Sequence, residues 1–225
     1  DIIFTGRGRQ AGQQGSMHDD GRFMKKIILA SASPRRKEIL ALTGLRFSVE
    51  PSDYEETLDN AIKPHKLAKR LSLEKARAIA GKYRDALIIA ADTFIVFRGK
   101  LLGKPHTSKE ARKMLTMLNG KSHSVITGYT ILDTGTGQKI TRSIETKVWF
   151  KKMSSQELDA YVATKEPLDK AGAYAIQGCG AMIVKKIEGD YLNVVGLPLF
   201  DLANSLKKFG INLLSGWRSS QHFLF

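Results

Sequence analysis

The segment Ala86–Phe97 constrains the fold more than any other part of the chain. It is almost wholly apolar, which is typical of a strand in a protein core, but the pair Asp92-Thr93 interrupts it. A buried aspartate is rare unless it is paired or bound to a metal ion. We therefore interpret Asp92 as a candidate metal ligand or general base at the end or bend of a core strand.

Predicted strands and helices alternate along the chain without internal repeats, which indicates an α/β fold with at least one antiparallel pair. The alternating segments 122–132 and 139–151 are separated by a Gly-rich turn and predict a hairpin. Other strands are predicted at 27–30, 46–51 and 181–187. Helices are predicted from Ser33-Pro34 to Gly44, over 64–80, after the capping-box patterns at Thr107 and Ser154, and over 198–209.

The ends of the chain differ in character from its centre. Residues 1–23 are rich in Gly and Gln and lack a sustained period, so we expect a leader or an expression-derived extension there. Residues 215–225 follow a finished helix pattern and are expected to be a C-terminal tail. Residues 24–214 contain no linker-like segment and are expected to form a single catalytic domain.

The chain carries a formal net charge of +14, and almost all of this charge lies in residues 24–214. Such a surface attracts nucleic acid, an anionic membrane or small phosphorylated ligands. Nucleic acid is disfavoured because the aromatic residues are not interleaved with basic residues as on a single-strand stacking surface. A membrane anchor is not expected, because no stretch approaches the roughly 20 apolar residues that a spanning helix needs.

The single cysteine, Cys179, excludes an intrachain disulfide and a cysteine-based zinc cluster, and it fits a reducing cytosol. A cytoplasmic location is therefore expected. The five histidines are scattered along the chain, which gives little support to a histidine-based zinc site or a Ser–His triad.

The segment 30–36 predicts an anion site, because a strand leads there directly into the start of a helix. Ser31 and Ser33 add hydroxyl donors, and Arg35 and Arg36 add planar guanidinium groups suited to phosphate oxygens. The alternative is an ordinary helix cap followed by two solvated arginines. The site is not a P-loop, since the chain contains no GxxxxGK[ST] pattern.

The acidic loop 53–59 contains Glu55 and Glu56 and could bind a divalent ion through carboxylate oxygens, although a solvated loop is the alternative. Lys75 shares the apolar face of its predicted helix with Ala68, Leu71, Ala78 and Ile79. A lysine in that position either extends its ammonium to solvent or meets an anion.

Two further segments contain candidate ligand-binding residues. Lys104 follows a glycine in Gly103-Lys104-Pro105 and could bind phosphate as a point charge. Gln177, in the glycine-bracketed segment 169–178, could recognise a base edge through its paired donor and acceptor. The alternative for this segment is a tight loop before the next strand.

Taken together, the order and spacing of these motifs resemble the Maf family of nucleoside triphosphate pyrophosphatases over essentially all of residues 24–214. The matching segments are 31–36, 52–56, 91–93, 103–105, 120–127, 165–178, 189–191 and 196–198. The resemblance implies a mixed twisted sheet flanked by helices, with an elongated, inosine triphosphate pyrophosphatase-like architecture and a cleft between two lobes. It also implies a homodimer, and hydrolysis of a nucleotide between the α- and β-phosphates as part of clearing the nucleotide pool.

The resemblance implies roles for individual residues. By its position in the motifs, Asp92 looks like the family's catalytic proton acceptor. Glu55 and Asp92 look like the carboxylates that hold Mg²⁺ or Mn²⁺ in the family. The phosphate-binding set implied by the motifs is Ser31, Arg35, Lys75 and Lys104.

Arg35, Thr93 and Gln177 match the branch of the family that acts on dTTP and UTP. The alternatives are a 7-methyl-GTP pyrophosphatase of the same family or a non-catalytic, nucleotide-binding regulator of septum formation.

Overall fold

The computed structural model describes residues 25–54, 59 and 61–214. The predicted leader and tail, and Glu55 and Glu56 of the acidic loop, lie outside the described residues. The strands are β1 Lys26–Leu29, β2 Ser48–Val49, β3 Ala86–Phe97, β4 Lys100–Leu102, β5 Ser122–Asp133, β6 Lys139–Phe150 and β7 Val184–Glu188. The α-helices are α1 Pro34–Ala41, α2 Pro64–Ala80, α3 Ser108–Leu118, α4 Ser155–Ala163, α5 Tyr191–Val195 and α6 Leu199–Leu206.

In the described part of the chain, seven strands form one open sheet in the order β2-β1-β3-β5-β6-β7, with β4 paired to β3. The strand β1 is parallel to β2 and β3, whereas the other pairs are antiparallel. The predicted mixed α/β fold with an antiparallel hairpin is therefore confirmed. At the centre of the sheet, Asp92 of β3 lies opposite Gly128 of β5.

Helices cover both faces of the central strands, because successive side chains of a strand point to opposite faces. Ile89 belongs to a buried cluster with Leu40 of α1 and Leu202 of α6. Ile88 belongs to a second cluster with Ile79 of α2. A third cluster gathers α3 and α4 around the far end of β3, including Ile95. Among the described helices, none combines the length and apolar character of a membrane-spanning segment.

The helix α2 lies unusually close to the sheet at Gly128. A Cβ atom added to this glycine would lie 2.1 Å from the carbonyl oxygen of Ala68, so only glycine fits between the two backbones. The buried face of α2 includes Ala68, Leu71, Lys75 and Ile79, as predicted. The prediction for Ala78 is wrong, since Ala78 is exposed. This close contact sets the distance between Lys75 and the central strand.

The predicted cap at Ser33-Pro34 is confirmed, and of the two predicted capping boxes one is confirmed and the other is partly wrong. Ser154 and Glu157 form a full capping box, with Ser154 N donating to Glu157 Oε2 over 2.8 Å and Glu157 N donating to Ser154 Oγ over 3.2 Å. Thr107 Oγ1 accepts from Glu110 N, but the Glu110 carboxylate accepts from His106 N instead of Thr107 N. The hydrogen bond between the Glu110 side chain and the backbone is therefore made one residue before the N-cap, and the capping box is incomplete.

Several predicted boundaries are wrong, because the elements begin later or end earlier than the sequence pattern indicates. The strand predicted over 46–51 is confined to Ser48–Val49. The strand predicted over 181–187 begins only at Val184, because residues Gly178–Met182 form a 3₁₀ turn. The helix predicted over 198–209 ends at Leu206 and continues as a 3₁₀ turn. The short helix α5 was not predicted, and Asp190 caps it by accepting from Leu192 N.

Candidate active site

A cleft opens beside the middle of β3. Its walls come from the start of α1, from α2, from the loop after β4, from residues 169–171 and 174–176, and from residues 194–196. Residues of two different core clusters line the cleft. Ile95 and Tyr174 belong to one cluster, Val195 belongs to the other, and Ile176 packs against that second cluster. The cleft therefore lies where these two parts of the core meet.

A buried ion pair lies in this cleft. Lys75 Nζ donates to Asp92 Oδ1 over 2.5 Å, and the two side chains are only 10% and 5% exposed. Of the two interpretations of Lys75, the structure therefore supports contact with an anion, because its ammonium lies against a carboxylate instead of extending to solvent. Removing either partner of a buried pair is costly, so each side chain supports the other's charge at this position.

In the described part of the chain, the guanidinium of Arg36 is bonded to residues of three separate segments. Its Nε donates to Gly196 O over 2.9 Å, one terminal nitrogen donates to Thr93 Oγ1 over 3.0 Å, and the other donates to Ser31 Oγ over 3.3 Å. Gly196 has φ +132°, a backbone conformation that other residues rarely adopt. The glycine thus allows a backbone carbonyl to fix the orientation of a cleft arginine.

Thr93 takes part in a hydroxyl network next to Arg36. Its Oγ1 lies 2.9 Å from Thr127 Oγ1 and 3.4 Å from Gly196 O. Thr127 Oγ1 in turn donates to the backbone oxygen of Asn193 over 3.0 Å. The network connects β3 and β5 to the segment after β7, and Thr93 also lines the cleft.

The structure brings some of the other predicted residues to the cleft. Arg35 and Lys104 line it, and Gly103 O accepts from Gly172 N over 2.9 Å, which holds the Lys104 loop near residues 169–171. Ser31 is buried and bonded to Arg36, and it does not line the cleft itself.

The remaining predicted residues are not brought to the cleft in the described structure. Gln177 is exposed and does not line the cleft, although its neighbour Ile176 does. Glu55 lies outside the described residues.

Sequence reasoning did not assign roles to Asp169, Lys170 and Tyr174, all of which line the cleft. Lys170 Nζ donates to the Asp169 carboxylate, and this bond lowers the pKa of Asp169, with a smaller contribution from the charge of Arg35. All three residues lie in the glycine-bracketed segment 169–178 that also contains Gln177, so the sequence signal for them is the same segment.

Tyr174 is buried and its Oη lies 2.8 Å from Nε2 of His123. Both rings make edge contacts with Phe150 and with each other. Burial lowers the pKa of His123 to about 4, and burial raises the pKa of Tyr174 above its usual value. The phenol of Tyr174 and the imidazole of His123 are therefore both uncharged at pH 7.

The charged groups of the cleft suit a polyanion. Among the described residues, five cations line it, together with the carboxylates of Asp92 and Asp169. The cations are Arg35, Arg36, Lys75, Lys104 and Lys170.

Asp92 and Asp169 both line the cleft, and their carboxylate oxygens have the chemistry that Mg²⁺ and Mn²⁺ prefer. Within residues 25–54, 59 and 61–214, no group of three or more His, Cys, Asp or Glu residues is placed to hold a metal ion.

The sequence model of the family described as Maf-like protein matches residues 26–209. The chain belongs to the Maf family. The resemblance inferred from the motifs is thereby confirmed, and the seven-stranded sheet flanked by helices agrees with it.

Curated relatives within the family share close to half of their residues with this Maf chain. The dTTP/UTP pyrophosphatase of Methanosarcina barkeri is 52% identical over 191 residues, which cover 84% of this chain and 97% of that protein. The dTTP/UTP pyrophosphatase of Moorella thermoacetica is 46% identical over 190 residues, covering 84% and 98%. That of Bacillus cereus is 45% identical over 194 residues, covering 86% and 95%.

Proposed function

We propose that this Maf chain hydrolyses nucleoside triphosphates, dTTP and UTP among them, to the nucleoside monophosphate and pyrophosphate. The observation that carries the proposal is the buried Lys75–Asp92 pair in a cleft that Arg35, Arg36 and Lys104 make strongly cationic. A carboxylate beside an anion-binding surface is what attack of water on a phosphoanhydride requires. The relatives named dTTP/UTP pyrophosphatase, at 45% to 52% identity, support the same reaction.

In the proposed reaction, Asp92 accepts a proton from water as the water oxygen attacks the α-phosphorus. The bond from the α-phosphorus to the bridging oxygen breaks, and pyrophosphate leaves. Lys75 holds the Asp92 carboxylate in one position and balances its charge before the proton arrives. Arg35 and Lys104 offset the charge that develops on the leaving pyrophosphate, and the fixed guanidinium of Arg36 adds a preorganised donor.

A divalent ion bound by Asp92 and Glu55 would polarise phosphoryl oxygens and lower the pKa of a bound water. The carboxylate chemistry of the cleft supports this, and Asp169 offers a further oxygen ligand at its rim.

Base recognition is assigned to the side of the cleft formed by Thr93 and residues 174–176. The buried ring of Tyr174 and the side chain of Ile176 give this side an apolar surface for a pyrimidine. We assign hydrogen bonding to the base of dTTP and UTP to Arg35 and Thr93, which line the cleft, and to Gln177, the exposed neighbour of Ile176. Such a site rejects the wrong base because its polar groups would be left unpaired.

The family resemblance also supports a homodimer in the cytoplasm, built from a single domain over residues 24–214. Size-exclusion chromatography with light scattering tests the oligomeric state, and cell fractionation tests the location. Limited proteolysis tests the domain limits, because a folded domain resists cleavage within its boundaries.

The test of the reaction is pyrophosphate release from dTTP, UTP, CTP and 7-methyl-GTP, with and without Mg²⁺ or Mn²⁺. Wild type is expected to act on dTTP and UTP, and Asp92→Asn to lose roughly 10²- to 10⁴-fold in kcat. Asp133→Asn is a matched control, because Asp133 is a buried carboxylate that pairs with the partly exposed Lys25 over 2.7 Å outside the cleft. This control is expected to lower stability but to retain turnover.

Near wild-type turnover in Asp92→Asn would overturn the catalytic assignment. Binding of dTTP without pyrophosphate release would indicate a nucleotide-binding regulator instead. Faster turnover of 7-methyl-GTP than of dTTP would indicate that the chain belongs to the 7-methyl-GTP branch of the family.

A further inference from the structure

One wall of the cleft includes Ala175 and Ile176, which belong to a loop that is held at both ends. Ala175 begins this loop, Ile176 lines the cleft, and Cys179 and Gly180 close it. Two side chains outside the loop, Tyr161 at the end of α4 and Glu166 just after it, make the hydrogen bonds that hold it. We call Tyr161 and Glu166 together the loop clamp.

The loop clamp forms a connected set of hydrogen bonds. Tyr161 Oη accepts from Ala175 N over 3.2 Å and donates to Glu166 Oε1 over 2.8 Å. Glu166 Oε1 also accepts from Gly180 N over 2.8 Å, and Oε2 accepts from Cys179 N over 3.0 Å. Three donors thus converge on one carboxylate, while the tyrosine joins that carboxylate to the start of the loop.

The chemistry of the loop clamp requires a carboxylate. An ionised carboxylate only accepts hydrogen bonds, and its two oxygens can receive all three donors. A glutamine has one acceptor oxygen, and its NH₂ group would face a backbone N–H at the other position. Replacing Glu166 with Gln therefore leaves at least one loop N–H without its acceptor.

The loop is also closed tightly onto the loop clamp. Gly178 has φ +72°, and a Cβ atom there would lie 2.5 Å from Glu166 Oε2. A Cβ atom on Gly180 would lie 2.7 Å from Tyr161 Oη and 1.9 Å from Ala175 O. The two glycines let the loop backbone come close enough to make these bonds. The clamp thus holds the backbone before Ile176, at Ala175, and after Gln177, at Cys179 and Gly180.

We propose that Glu166, acting with Tyr161, is a positioning residue that sets base selectivity. The proposal rests on the proposed function, since it concerns the nucleotide bound in the same cleft. The phosphate-side residues Arg35, Lys75 and Lys104 belong to α1, α2 and the loop after β4. Among the described residues, the clamp's hydrogen bonds do not reach these elements. Loss of the clamp therefore changes recognition of the base and leaves recognition of the phosphates intact.

The experiment compares Glu166→Gln with Glu157→Gln. Glu157 of α4 is a matched control, because its carboxylate also accepts a backbone N–H, that of Ser154, and binds Lys151 over 2.7 Å. For each protein, KM and kcat are measured with dTTP and CTP, together with inhibition by inorganic pyrophosphate. Glu166→Gln is expected to raise KM for dTTP roughly tenfold with kcat within about twofold, and to reduce the preference for dTTP over CTP. Pyrophosphate inhibition is expected to stay unchanged in both variants, and Glu157→Gln is expected to keep the wild-type preference.

Tyr161→Phe provides a second variant, which removes only the hydroxyl that joins Glu166 to Ala175. It is expected to shift the dTTP preference in the same direction, and the double variant to add little to either single change. An unchanged preference in folded Glu166→Gln or Tyr161→Phe protein would overturn the proposal. Equal weakening of dTTP turnover and pyrophosphate inhibition would also overturn it, because that result indicates general damage to the cleft.

The proposed function and the clamp can fail separately. If wild type releases no pyrophosphate from dTTP, the proposed function fails. The clamp is then tested by calorimetry with dTMP and with pyrophosphate as separate ligands. Loss of dTMP affinity in Glu166→Gln with pyrophosphate affinity retained supports the clamp, and parallel loss of both contradicts it.

Discussion

The burial of His123 predicts that the stability of the protein depends on pH in a specific way. It lies on β5, is 4% exposed, and contacts Tyr174 through Nε2. Its Nδ1 is buried without a hydrogen-bond partner among the described residues. Burial in this apolar setting disfavours the charged imidazolium and lowers the pKa of His123 from 6.5 to about 4.

The sign of the effect follows from proton binding in the two states. Between pH 6.5 and pH 4, the unfolded chain binds a proton at position 123 while the folded protein does not. The free energy of unfolding therefore decreases as pH falls through this window, and the contribution of His123 is fully present only above pH 6.5. The shift corresponds to about 3 kcal/mol over the whole window and about 2 kcal/mol between pH 7 and pH 5.

Urea unfolding of wild type and His123→Phe at pH 7, 6 and 5, followed by circular dichroism, measures this term. Phenylalanine retains an aromatic ring for the edge contacts with Phe150 and Tyr174 but cannot titrate. Wild type is expected to lose about 2 kcal/mol more than the variant between pH 7 and pH 5. His123→Gln serves as a second, smaller variant, and its dependence on pH is expected to match that of His123→Phe. Equal pH dependence in wild type and both variants would show that His123 titrates normally and would refute the argument.

Three further predictions concern other parts of the site. Gly128→Ala is expected to destabilise the protein by about 3 kcal/mol or more in a thermal melt, because its Cβ would overlap the backbone of α2; a melting temperature like wild type would contradict the close contact. Gly196→Ala is expected to lower the free energy of unfolding by about 1–3 kcal/mol and to reduce dTTP turnover, since φ is +132° and the glycine carbonyl orients a cleft arginine. In the control Gly81→Ala, at an open position, the free energy of unfolding is expected to stay within about 1 kcal/mol of wild type. Lys104→Met is expected to raise KM for dTTP roughly tenfold, while the exposed control Lys100→Met leaves KM unchanged. Equal KM values in the two variants would remove Lys104 from the phosphate-binding set.

The long, regular elements were predictable from sequence alone. The bounds of β3 and α2, and the pairing of the long hairpin strands, agree with the periodicity of their apolar residues. These elements have local signals, such as Pro64 at the start of α2 and Gly81 directly after it. Their burial against the rest of the protein reinforces the local preference instead of opposing it.

The short elements were not predictable in the same way. The helix α5 has only five residues and depends on the cap that Asp190 provides. The 3₁₀ turn Gly178–Met182 replaces the beginning of a predicted strand, and the loop clamp holds this turn through Cys179 N and Gly180 N. Such turns follow from contacts with residues distant in sequence, and the local pattern does not contain those contacts.

The candidate site shows the same division. The sequence by itself determined that Asp92 and Lys75 are unusual, because each places a charge among apolar neighbours, and it determined the family through the order of the motifs. Only the tertiary structure decided that these two charges meet as an ion pair, that Gly196 orients Arg36, and that Ile176 lines the cleft while Gln177 does not. The physical reason is that burial and periodicity are properties of a local segment. A salt bridge or a carbonyl contact depends instead on how separate segments are brought together, here by the close approach of α2 to Gly128 and by the backbone conformation of Gly196.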